Sequence, residues 1–202
     1  MITTTHALIS QAIVRRSPWR HAVWPALIGS ILPDAFLGVF IAWFVATGVP
    51  AEQAWNEVYF TEPWVAIGAI SNSFILWGLV TAAGAAWWLK SRSLRPSRWP
   101  VIIMVFGLSG LGHIAIDFLT HADDAHQHFW PISEWRFISP FSYWDPEHNS
   151  AFIMPIEGLI TLVTSWVVWG DTKSRAAKAL LVPLFLLGVL LILSPIVLAI
   201  IS

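Results

Sequence analysis

The sequence predicts an all-α polytopic membrane protein: about five transmembrane helices plus a short N-terminal half-membrane helix, forming a single domain over residues 1–202. Three observations predict it. Hydrophobic residues make up 56% of the chain and charged residues only 11%, against roughly 45–50% and about 25% in soluble domains, and mean hydropathy is +0.67. Apolar runs of about 20 residues recur, the length a helix rising 1.5 Å per residue needs to cross a hydrocarbon core of about 30 Å. The loops between those runs alternate between basic and acidic.

Residues 2–14 come first and are too short to cross, which predicts a half-membrane or interfacial helix. No basic stretch precedes them, and Arg15-Arg16 follows in place of a small-residue cleavage site, so this helix is expected to be retained. The apolar runs 22–47, 63–89, 99–120, 151–170 and 179–201 are the five spans. Arg15, Arg16 and Arg20 precede the first; Lys90, Arg92, Arg95 and Arg98 separate the second and third; Lys173, Arg175 and Lys178 separate the fourth and fifth. These are ten of the eleven basic residues. The other loops carry Glu52, Glu57 and Glu62, then Asp123, Asp124, Glu134, Asp145 and Glu147, with Arg136 as their one cation. The positive-inside rule makes the basic loops cytoplasmic and places the loop 121–150 and the C-terminus outside. The 14 tryptophans fit an interfacial belt, since Trp87, Trp88, Trp99, Trp130 and Trp144 fall at or beyond span ends.

Composition also removes function classes. A net charge of −1 without a basic run offers nucleic acid no electrostatic footprint. The absence of cysteine excludes disulfides, thiolate nucleophiles, iron–sulfur clusters and thiolate metal sites, leaving imidazole and oxygen as the available metal ligands. Ser71 and Ser73 lack a nucleophile elbow, which argues against a serine hydrolase.

Polar residues inside the spans are costly and point to a site. Counted from the basic span ends at 1.5 Å per residue, Asp34 lies about 18 Å deep, Glu157 about 20 Å, His113 about 21 Å, Asn72 about 26 Å and Asp117 about 27 Å. His6 joins this layer if the first helix runs inward from Arg15. His113, Asp117 and His121 are spaced i, i+4, i+8 and share one helix face, a stripe able to bind one metal ion. The chain then adds Asp123, Asp124, His126 and His128, candidates for contacting substrate or a second metal. Pro33 removes a backbone donor and frees the carbonyl of Gly29, as happens where a broken helix lines a cavity. The competing readings are interhelical hydrogen bonding for the buried groups and a solvated surface for the loop.

Thr5-His6, Leu32-Pro33-Asp34, the element Gly112-His113-Ile-Ala-Ile-Asp117-Phe-Leu-Thr120, and Phe129-Trp130-Pro131 with Trp135-Arg136-Phe137 resemble the YdjM-like predicted membrane-bound metal-dependent hydrolases of bacteria, over most of the first 150 residues. That family is regarded as distantly similar to zinc-dependent phospholipase C. The resemblance implies a metal held by His6, Asp34, His113 and Asp117. The chain departs from the pattern at Phe36 and at Ser71-Asn72-Ser73, where many members carry histidine.

These readings lead to an expected function: a metal-dependent hydrolase of the bacterial inner membrane, acting on a phosphoester or similar bond in a lipid or membrane-proximal substrate. The expected cofactor is a divalent metal, zinc first and manganese second. Asn72 is expected to orient substrate or a ligand, Glu157 to act as general base or to support a ligand, and His121 to contact substrate. The rivals are a metal-binding or metal-transporting protein without hydrolysis, and a non-catalytic membrane scaffold.

Overall fold

The computed structural model describes the main chain of residues 1–91 and 97–201, with side chains through Ile196. Arg92 and Arg95 of the second basic loop lie outside the described residues. The described residues form helices joined by irregular loops, with no strand among them, and five helical segments are long and apolar enough to cross a membrane: Arg20–Thr47, Trp64–Ser91, Trp99–Thr120, Ser150–Asp171 and Arg175–Ile196. The protein is thus an all-α polytopic membrane protein.

Helix α1 (Thr3–Arg15) is the expected short helix. The first span is broken: α2 (Val23–Ile31) and α3 (Ala35–Thr47) are joined through one 3-10 turn, Leu32–Asp34, because Pro33 cannot supply the N–H that would continue the α-helix. The second span is broken as well, into α5 (Trp64–Ser71) and α6 (Phe74–Ser91). There the Asn72 amide turns back to the Gly68 carbonyl at 3.1 Å, competing with the helical ladder. Helices α7 (Trp99–Thr120), α8 (Ser150–Asp171) and α9 (Arg175–Ile201) are continuous.

Helix α1 packs between α2 and α8; α2 also packs on α7, α7 on α6, and α8 on α9. Between lipid-soluble helices the close contacts come from small residues. A Cβ added at Gly84 of α6 would stand 2.4 Å from the Met104 nitrogen of α7, and one at Gly158 of α8 would stand 2.6 Å from the Gly188 carbonyl of α9. Polar pins hold α1 in this apolar setting: Thr5 meets Thr161 at 2.9 Å, Ser10 donates to the Ala26 carbonyl at 3.1 Å, and Gln11 to the Val23 carbonyl at 2.9 Å. Arg16 reaches Asp171 at 3.0 Å, so the first and third basic loops lie at one end of the bundle. At the other end, helix α4 (Ala51–Asn56) and a 3-10 turn, Val58–Phe60, fold over the mouth of the bundle. They are held by a buried aromatic cluster of Phe40, Phe44, Ala54 and Trp64. The sequence showed this region only as an acidic loop.

Candidate metal centre

Three helices converge on one buried point. Helix α7 contributes His113 and Asp117 one turn apart, and α1 contributes His6 from its first turns. The 3-10 turn between α2 and α3 contributes Asp34. His6 Nε2 lies 2.9 Å from Asp117 Oδ1, while His113 Nε2 lies 2.8 Å from Asp117 Oδ2 and 3.3 Å from Asp34 Oδ1. The two imidazoles stack, their centroids 3.8 Å apart. His6, His113 and Asp117 are between 1 and 2% exposed.

The break at Pro33 sets the orientation of His113. A continuous helix would spend the Ser30 carbonyl on the amide of residue 34. In the 3-10 turn it accepts from His113 Nδ1 at 2.7 Å instead. The carbonyl recruited to the site is therefore that of Ser30, one residue beyond the Gly29 carbonyl expected from the sequence. With Nδ1–H committed, His113 turns Nε2 toward both carboxylates, yet Nε2 has no hydrogen-bond partner among the described residues. An imidazole nitrogen held 2.8 Å from one carboxylate oxygen and 3.3 Å from another requires a proton or a metal ion between them. Ligand atoms of a divalent ion bonded at about 2.0–2.2 Å stand about 3–3.5 Å apart, and the contacts here run from 2.8 to 3.3 Å. His6, His113 and Asp117 offer ligand atoms all within 4.8 Å of one another. The donor set, imidazole with carboxylate, suits zinc or manganese.

The N-terminal segment closes one side. The Met1 amino group lies 2.9 Å from Asp117 Oδ1, Ile2 N–H donates to Glu157 Oε1 at 2.7 Å, and the Thr3 hydroxyl donates to Asp34. Glu157 of α8 is buried and connects to the cluster through this segment.

His121 ends the α7 stripe. Its Nδ1 pairs with Asp124 at 2.8 Å and its Nε2 stands 3.5 Å from Asp117. Burial opposes its charge, but Asp117 and Asp124 outweigh that and raise its pKa to about 9. His126, in contrast, is pushed down to about 3 by burial and by its neighbours His121 and His128. Its ring stands 5.6 Å from that of His121 and 5.9 Å from that of His128. Asp123 is exposed at the rim, where burial of its carboxyl and the nearby Asp124 raise its pKa.

The two histidine-poor positions acquire imidazoles from elsewhere. His126 packs edge-on against Phe36 at 5.9 Å, and His128 Nδ1 donates to the Asn72 carbonyl at 2.9 Å. Asn72 itself is engaged with Gly68 and Ser71 and leaves Oδ1 buried without a hydrogen-bond partner among the described residues. Asp145 and His148 pair with each other at 2.6 Å in the turn before α8.

A cleft of about 440 Å³ gives access from the acidic end. Asp34, His121 and Asp124 line its polar side; Trp55, Tyr59 and Tyr143 line its aromatic side. Sequence reading missed this wall and assigned Trp144, another lining residue, to the interfacial belt. One signal was available: the chain has only two tyrosines, both in acidic loops, and both face this cleft. Comparison with protein-family models, with characterised proteins and with solved structures produced no match to this chain.

Proposed function

We propose that the protein is a metal-dependent hydrolase of the bacterial inner membrane, its basic end cytoplasmic and its cleft outside, cleaving a phosphoester or similar bond in a membrane-proximal substrate. The observation carrying this reading is the convergence at His113: its Nδ1 is committed to the Ser30 carbonyl, its Nε2 faces Asp34 and Asp117, and the ligand atoms of His6, His113 and Asp117 all lie within 4.8 Å of one another. The same His6, Asp34, His113 and Asp117 set follows from the resemblance to YdjM-like hydrolases. A divalent ion bound there, zinc or alternatively manganese, would supply a Lewis acid that polarises the scissile bond and acidifies water.

The chain's own groups do the rest. Asp124 fixes the His121 ring through Nδ1, turning Nε2 toward Asp117 at 3.5 Å, where it would hold or give a proton beside the cluster. Glu157 holds Ile2, and Thr3 holds Asp34, so both position ligands rather than react. Asp123, Asp124 and His126 serve as substrate contacts on the cleft, His128 supports them from its buried place against the Asn72 carbonyl, and the aromatic wall excludes water from a bound head group.

The test is hydrolysis of bis(p-nitrophenyl) phosphate by purified protein before and after chelation. Turnover lost on chelation and restored by zinc or manganese supports the reading. Bound metal with no turnover, together with zinc flux into vesicles carrying the protein, would replace it with the transport reading.

A further inference from the structure

A second cavity reaches the same cluster from below. It is an apolar groove of about 260 Å³ between α1 and α7, with His6 and His113 at one end and Ile9, Ile13, Leu108 and Gly112 along its length. It runs to Ser17 and Trp19 at the basic end, about 16 Å from His6 along the helical rise. The groove exists because α1 and α7 pack on α2 more than on each other. Its floor is tied by the Ser10 and Ser109 hydroxyls, 3.0 Å apart. Ile13 and Leu108 remain 63% and 43% exposed, and Leu108 lies within the membrane-crossing segment Trp99–Thr120, so the groove has an apolar opening on the outside of the bundle.

We propose that this groove takes one hydrocarbon chain of a membrane lipid whose polar head lies in the acidic-end cleft, so that the substrate is an amphiphile with its head–chain junction at His6, Asp34, His113 and Asp117. Two features fix the occupant's chemistry. The groove wall is apolar and continuous with the lipid phase, where a chain enters without crossing water. The cleft on the other side of the cluster carries Asp34, His121 and Asp124, which suit a polar or cation-bearing head. The placement of the head rests on the hydrolase reading; occupancy of the groove by a chain does not.

Gly112 supplies the test. A Cβ there meets nothing within 4 Å, so Gly112→Leu fills the groove without displacing backbone and removes a helix-interior glycine. Gly78, also open within 4 Å but on α6, is the control. The full chain, reconstituted in vesicles of phosphatidylethanolamine and phosphatidylglycerol and then extracted into mild detergent, is weighed by native mass spectrometry. Wild type and Gly78→Leu are expected to retain one lipid per chain, and Gly112→Leu, whose side chain takes up the groove volume, to retain about tenfold less. Equal retention by wild type and Gly112→Leu, or none by wild type, overturns the proposal. Lipid retained by a wild type that binds no metal leaves the groove standing and removes the hydrolase reading alone.

Discussion

Each site residue is defined by what occupies its second polar atom. His113 spends Nδ1 on a carbonyl and His121 spends Nδ1 on Asp124, so each presents Nε2 to the cluster. Their depths differ, however: His113 is 1% exposed, whereas His121 reaches the cleft. On the proposed reading, His113 would hold a metal and His121 would move a proton. His121→Gln is expected to keep metal and fold while lowering kcat by about 10²–10⁴-fold, the scale of general acid–base assistance. Glu157→Gln retains an oxygen to accept the Ile2 N–H and should leave kcat within a few-fold of wild type. A steady-state assay with metal content read in parallel checks both, and a collapse of kcat in Glu157→Gln alone would move the proton-transfer role to α8.

At the scale of elements, the two broken spans show how helix interruptions make a site inside a membrane. Pro33 frees the Ser30 carbonyl for His113, and Asn72 ends α5 where His128 docks. Pro33→Ala should let α2 run into α3 and return the Ser30 carbonyl to the helical ladder. Zinc affinity is then expected to fall about 10–100-fold, as when a ligand's outer partner is removed, with the protein still folded. Competition against a chromophoric chelator measures this, and unchanged affinity would show that the carbonyl does not orient His113. The Pro33 break was legible because proline lacks an N–H; the break at Asn72 was not, since nothing local distinguishes it from a polar residue within a span. The i, i+4 pairing of His113 and Asp117 was likewise legible from helical periodicity. That Tyr59 and Tyr143 would share a wall was hidden, because it depends on two loops meeting over the bundle, and loop docking leaves no periodic trace.

For the whole molecule, composition and run length sufficed for the five-span fold, because a hydrocarbon solvent imposes its thickness on every crossing segment. Charge alternation carries the proposed sidedness. The chain has no native cysteine, so Ser133→Cys and Ser174→Cys can each be labelled singly in intact and permeabilised cells. Ser133 should label from outside and Ser174 only after permeabilisation; labelling of both from one face would contradict the orientation and close the proposed outer entrance to the cleft. The central claim is that the buried imidazole–carboxylate cluster, not the histidine-rich loop, holds a divalent cation. Elemental analysis of purified wild type, His113→Ala and His128→Ala tests it most directly. The account predicts stoichiometric zinc or manganese in wild type and in His128→Ala, and none in His113→Ala. Metal retained by His113→Ala, or lost equally in both variants, would contradict it.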